Sequence, residues 1–114
     1  MTYAKTREFS ELADPALVLV AECFHALSDP TRLKILRALK SKEKSVQELV
    51  ELFTWTQPNI SRHLSVLTRA GLVRKEKRGP YVLYSVANSQ IFGLCERVCS
   101  HVQGMLKEYS GKSD

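Results

Sequence analysis

A mainly α-helical domain carrying one small β-hairpin is predicted by three observations. Two short segments with helical apolar spacing, 45–52 and 57–70, are separated by the turn Phe53-Thr54-Trp55-Thr56. After the second, the hydrophobic period changes from helical to alternating over 72–86, with Arg78-Gly79-Pro80 as a turn in the middle. Apolar helical stretches flank this unit on both sides, over 17–27 and from about 89 to 109. Two helices joined by a tight turn, with a hairpin behind the second, describe a winged helix-turn-helix. The expected order is four helices, two strands and a last helix.

Each element follows from local chemistry. Residues 1–13 are polar and are expected to form a flexible arm, with the folded domain over 14–110 and a flexible tail over 111–114. Asp14-Pro15 reads as a helix cap followed by a proline, which lacks the amide that would be orphaned there. The stretch 17–27 is apolar almost all round, so a subunit interface is its expected cover. Asp29-Pro30 repeats the cap signal and opens a helix predicted to turn Leu33, Ile35, Leu36 and Leu39 inward and Arg32, Lys34, Arg37 and Lys40 mostly outward. Ser45 and Glu48 have capping-box spacing ahead of an apolar face of Val46, Leu49, Val50 and Leu52. Thr56 is the expected cap of the helix over 57–70, with Ile60, Leu64 and Leu67 inward and Gly71 as its stop. Strands are expected over 72–76 and 81–86. The last helix presents one stripe: Ile91, Leu94, Cys95, Val98, Val102, Met105, Leu106 and Tyr109.

The 114 residues fill one domain, of which 44% are hydrophobic and 25% charged, as in a soluble globular protein. No apolar run approaches the roughly 18 residues of a membrane span, and the start has no apolar core of a signal peptide. A cytoplasmic setting is therefore expected. The net charge of +5 is unevenly placed. Residues 30–80 carry 12 Lys and Arg against 4 Asp and Glu, while the rest carries 5 against 8. A basic middle between acidic flanks points to a polyanion for the middle alone.

The N-terminal end of the helix over 57–70 offers Gln57, Pro58, Asn59, Ser61, Arg62 and His63. A major groove accepts one helix, and Gln, Asn and Arg have the geometry to read adenine or guanine edges. His63 either faces phosphate or half-buries beside Leu64. The hairpin adds Arg74, Lys75, Lys77 and Arg78 for phosphates or the minor groove. The three histidines, at 25, 63 and 101, accompany no nucleophile motif and leave little room for a pocket, so an enzyme is not expected.

The runs ALSDPTRLKIL (26–36) and SVQELVELFTWTQPNISRHLSVLTRAGLVRKEKRGPYVLYSV (45–86) resemble the ArsR/SmtB family of bacterial repressors, over about residues 16–108. The resemblance implies a homodimer through the first and last helices, bound to a palindromic DNA operator and loosened by a metal or other inducer. Family sensing sites differ in position. Where one type carries a Cys-x-Cys pair, this chain has Ser45 and Gln47. Where a zinc type carries Asp, His, His and Glu, it has Asn88, Gln90, His101 and Gly104, which leaves only His101.

What remains is a thiol set. Cys95 and Cys99 lie one helical turn apart, and Cys23 sits on the first helix. Three thiolates suit As(III), Sb(III) or a soft divalent metal such as Cd(II), with His101 as a further candidate ligand. The same thiols also fit redox or reactive-sulfur sensing, or plain packing as small hydrophobes.

Overall fold

The computed structural model describes residues 8–112. A 3-10 turn (Phe9–Glu11) precedes helices α1 (Asp14–Leu27), α2 (Pro30–Ser41), α3 (Val46–Phe53) and α4 (Gln57–Arg69), strands β1 (Val73–Arg78) and β2 (Tyr81–Val86), and helix α5 (Gln90–Lys112). This is the expected winged helix-turn-helix order. Of the expected arm, 1–7 lie outside the described residues and 8–13 include the 3-10 turn. Of the expected tail, α5 continues through Lys112, and 113–114 lie outside.

Helix α2 is the centre of the fold, packing against α1, α4 and β2. Its Ile35, Leu36 and Leu39 meet Leu49 of α3, Ile60, Leu64 and Leu67 of α4, and Val73 and Tyr84 of the hairpin in one buried cluster. Helix α5 joins this body through its first turns, where Ile91 and Phe92 pack on the core. Beyond them it projects into solvent, and α1 buries only Ala26. Val18, Leu19, Phe24, Val98, Val102, Met105, Leu106 and Tyr109 are exposed in the single chain. The apolar faces of the two flanking helices are thus left uncovered by their own domain.

Local signals set most boundaries. The Ser45–Glu48 box forms in both directions: the Glu48 amide donates to Ser45 Oγ at 3.1 Å and the Ser45 amide to Glu48 Oε1 at 3.0 Å. Helix α4 ends in a Schellman motif, with Gly71 at φ 77°. The Gly71 amide donates to Thr68 and the Leu72 amide to Leu67, both at 3.0 Å. β1 and β2 pair antiparallel from Val73↔Val86 to Arg78↔Tyr81, leaving a two-residue turn of Gly79 (φ 60°) and Pro80. That tight turn takes Arg78 out of the predicted turn and into the strand.

Three sequence expectations need correction. Ala13, not Asp14, holds the N-cap of α1, and it makes no side-chain bond there. Asp14 sits instead in the first turn, where its carboxylate faces the positive end of the helix dipole. Leu52 is exposed, because the buried face of α3 passes through Val46, Leu49 and Val50. On α2 the inward face runs 32, 35, 36, 39, so Arg32 is buried at 8% exposure while Leu33 lies out at 42%. Helical phase outweighed polarity there, because the guanidinium finds backbone acceptors inside.

Asp29 caps α2 as expected, accepting from the amides of Thr31 (2.7 Å) and Arg32 (3.2 Å). Burial pushes its pKa up, but the two amides together with the nearby His63 and Arg32 outweigh it and hold the carboxyl below its ordinary 3.8. Asp29→Ala is expected to cost about 1 kcal/mol in urea unfolding. Asp29→Asn keeps an acceptor but not the charge. A depressed native pKa stabilises above the unfolded pKa and is lost as pH falls through the native value. The advantage of wild type over Asp29→Asn should therefore shrink as pH falls from about 5 through and below the ordinary carboxylate value. A gap independent of pH would contradict this assignment.

Candidate nucleic-acid interface

The turn between α3 and α4 is built on Thr54, whose φ of 57° places a β-branched residue in the left-handed region at the C-cap of α3. Its amide still donates to Val50 at 3.0 Å. Behind the turn, Trp55 stacks on Phe53 with ring centroids 4.8 Å apart, and the Lys34 ammonium lies 5.6 Å from the Trp55 ring. These contacts fix where α4 begins. Thr56 caps it, accepting from the Asn59 amide at 3.3 Å.

Gln57, Pro58, Ser61 and Arg62 are exposed at the start of α4, and Asn59 is half-buried. Pro58 has no amide and Asn59 gives its own to Thr56, so the anion-binding capacity of this helix end is narrow. Side chains, more than backbone amides, carry its recognition potential. Among the described residues Arg62 forms no ion pair.

His63 is half-buried, and its Nδ1 lies 3.3 Å from Arg32 Nη1. A guanidinium only donates, so Nδ1 is the acceptor and neutral His63 carries its proton on Nε2. Of the two readings left open for His63, the contact favours the half-buried one. Arg32 also donates from Nε to the Ala26 carbonyl at 2.7 Å and from Nη2 to the His25 carbonyl at 3.1 Å. Both carbonyls lie in the last turn of α1; that of His25 also accepts from the Ser28 amide at 3.0 Å and the Ser28 hydroxyl at 2.6 Å. One buried side chain thus joins the end of α1 to α4, a role that polarity alone concealed.

The hairpin lies beside this helix end. An open groove of about 850 Å³ runs between α3 and the hairpin, bordered by Gln47, Glu48 and Glu51 on the α3 side and by Lys75, Arg78 and Tyr81 on the other, and it includes Gln57 of α4. Arg74, Lys75 and Lys77 are exposed, and none of them forms an ion pair among the described residues. Arg78 differs: its guanidinium donates to Glu43, in the connector between α2 and α3, and to Glu76 at 3.4 Å. The Glu76 bond and the neighbouring carboxylates raise its pKa further.

The thiols divide into two places. Cys95 is half-buried and Cys99 exposed on α5, side by side with Leu33 between two apolar grooves. Burial pushes the Cys95 thiol up. Cys23 lies apart, lining a small cavity with Ala70, Gly71 and Leu94, and its thiol donates to the Ala70 carbonyl at 3.5 Å. Among the described residues no three His, Cys, Asp or Glu side chains are placed to hold one metal ion. A three-thiolate centre therefore does not fit a single protomer. His101 is exposed farther along α5.

Comparison with known proteins agrees with this architecture. The family model described as "Bacterial regulatory protein, arsR family" matches residues 29–75. The transcriptional regulator KmtR of Mycobacterium tuberculosis is 38% identical over 80 residues, 70% of this chain and 62% of KmtR. The transcriptional repressor SdpR of Bacillus subtilis is 38% identical over 63 residues, 55% of this chain and 70% of SdpR. The match thus spans under two thirds of KmtR and slightly more of SdpR. Among solved structures, M. tuberculosis Rv0081 superposes with TM-score 0.74 at 31% identity, covering 86% of this chain and 99% of that one. The homodimeric winged helix-turn-helix domain of Mycobacterium bovis Mb0332 shares the fold, with TM-score 0.74 at 24% identity over 88% of this chain and 95% of that one.

Proposed function

The chain belongs to the arsR family of bacterial regulatory proteins, and on that premise we propose that it is a homodimeric repressor that binds a palindromic DNA operator. The observation that carries this reading is the pairing of two exposed surfaces. The first turns of α4 present Gln57, Ser61 and Arg62, with the half-buried Asn59 beside them, and the adjacent wing presents Arg74, Lys75 and Lys77, none of which forms an ion pair among the described residues. The helix end supplies base contacts in the major groove, and the wing neutralises phosphates. Dimerisation through α1 and α5 covers their exposed apolar residues and sets two recognition helices about 34 Å apart, one helical turn of DNA.

The inducer is proposed to act at Cys95 and Cys99. A thiophilic species such as As(III), Sb(III) or a soft metal takes two thiolates one turn apart. Cys23 joins them only if the dimer brings it from the partner. Binding on α5 favours a dimer geometry in which the recognition helices no longer match the half-site spacing.

Fluorescence anisotropy with the duplex upstream of the protein's own gene tests both halves. Reduced protein is expected to bind it in preference to a scrambled duplex, and Arg62→Ala to weaken binding about tenfold or more. Equal affinity for both duplexes rejects sequence-specific repression. As(III) is then expected to release the wild type but not Cys95→Ser/Cys99→Ser. Release by polysulfide alone assigns the thiols to reactive-sulfur sensing, and indifference to both leaves them a packing role.

A further inference from the structure

Arg78 stands out among the wing cations because it is already held. Its guanidinium donates to Glu43 and to Glu76, so this corner of the wing has one positive charge between two negative ones. Glu43 belongs to the connector between α2 and α3, which is tied to the wing at the next residue. The Lys44 amide donates to the Tyr84 carbonyl at 3.0 Å, and the Tyr84 amide to the Lys44 carbonyl at 2.8 Å. The ion pair and the backbone bridge therefore join the same two segments. A DNA phosphate approaching Arg78 meets two carboxylates within hydrogen-bond range and has to displace them. No such competitor faces Arg74, Lys75 or Lys77 among the described residues.

We propose that Arg78 is a positioning residue, a strut that seats the wing on the α2–α3 connector, and that Glu43 withholds it from DNA phosphate. Glu43 thereby sets how many wing cations engage the nucleic acid. This rests on the DNA-binding reading above, and it revises which of the four basic wing residues contact DNA. Arg74, Lys75 and Lys77 are the phosphate set.

Salt dependence separates the two roles, because each phosphate contact contributes about 0.9 to the slope of log affinity against log salt. Anisotropy titrations of wild type, Lys77→Ala, Arg78→Ala and Glu43→Ala are run across a salt series on the upstream duplex. Lys77→Ala is expected to lower the slope by about 0.9 per protomer. Arg78→Ala weakens binding through a loosened wing but leaves the slope unchanged. Glu43→Ala frees Arg78, which tightens binding and steepens the slope. Glu51, which lines the groove that Arg78 also borders and accepts from the Gln47 side chain at 3.3 Å, is the control: Glu51→Gln removes an equal charge without touching Arg78, so it separates release of the arginine from charge removal.

A DNA-free arm follows hydrogen exchange at the Lys44 and Tyr84 amides. These are expected to exchange faster in Arg78→Ala and Glu43→Ala than in Lys77→Ala. The proposal is overturned if Arg78→Ala lowers the slope as Lys77→Ala does, or if the two amides exchange alike in all variants. Should wild type show no salt-dependent binding, the DNA reading fails by itself, and the exchange arm still decides whether Arg78 is a strut.

Discussion

Replacing Val102 with aspartate is expected to leave a folded monomer that has lost its grip on a two-half-site operator. Val102 lies on the α5 stripe with Val98, Met105, Leu106 and Tyr109, all in water in the single chain, Leu106 at 61% exposure. An apolar surface of this extent, continued by Val18, Leu19 and Phe24 of α1, marks an interface. Twofold symmetry places each such substitution in the interface twice, so one unpaired carboxylate per chain opposes association doubly. Sedimentation equilibrium at micromolar protein is expected to give a dimer for wild type and a monomer for Val102→Asp. Circular dichroism should change little, because the side chain has no part in the core.

The effect on DNA then follows from linkage. Two recognition helices on one dimer bind with an avidity about 10² to 10⁴ above that of one. Affinity for the full operator should fall by at least about a hundredfold, while affinity for a single half-site stays near its wild-type value. A variant that remains dimeric at the same concentration would remove α5 from the interface.

Arg32→Ala is expected to be strongly destabilising, unlike an ordinary exchange of a charged residue. The wild-type guanidinium satisfies the Ala26 carbonyl, adds a bond to the His25 carbonyl that Ser28 already serves, and donates to His63, all from a buried position. Truncation leaves the Ala26 carbonyl buried without that donor and opens a gap between the end of α1 and α4. Hydrogen bonds from a charged donor contribute about 1.5–3 kcal/mol each, and an orphaned buried acceptor costs a further 1–3 kcal/mol. Allowing for overlap, a loss of about 3 kcal/mol is expected by urea denaturation at fixed protein concentration. Arg32→Lys should recover only part of it, because an ammonium lacks the fork that reaches several acceptors at once. A loss below about 0.5 kcal/mol, typical of surface substitutions, would contradict the role.

Signals that act within a few residues were legible in the sequence. The Ser45–Glu48 box, the Asp29 and Thr56 caps and the Gly71 stop each satisfy amides or carbonyls of their own helix end, and each appears where its residue type predicts. Arg32 was misread because its acceptors are carbonyls of a different helix. Composition near residue 32 gives no hint of them. The one available signal was phase: positions 32, 35, 36 and 39 share a helix face, and Leu33 does not. Arg78 shows the same limit. Its engagement depends on Glu43, 35 positions earlier, brought near by a connector that pairs with β2. For the cysteines, the one-turn spacing of Cys95 and Cys99 is read directly from their positions. The separation of Cys23 from them depends on its packing against the end of α4.

The bridge between Lys44 and Tyr84 has a consequence for self-association. A two-stranded ribbon has two open edges, each a template for another chain's strand. Here the outer edge of β2 is occupied where the connector pairs with it. The outer edge of β1 belongs to a strand bearing Arg74, Lys75 and Lys77, whose like charges repel an identical strand. The cations proposed to meet a polyanion at the wing thus also keep one wing from adding to another, and the ribbon resists aggregation without needing a third strand.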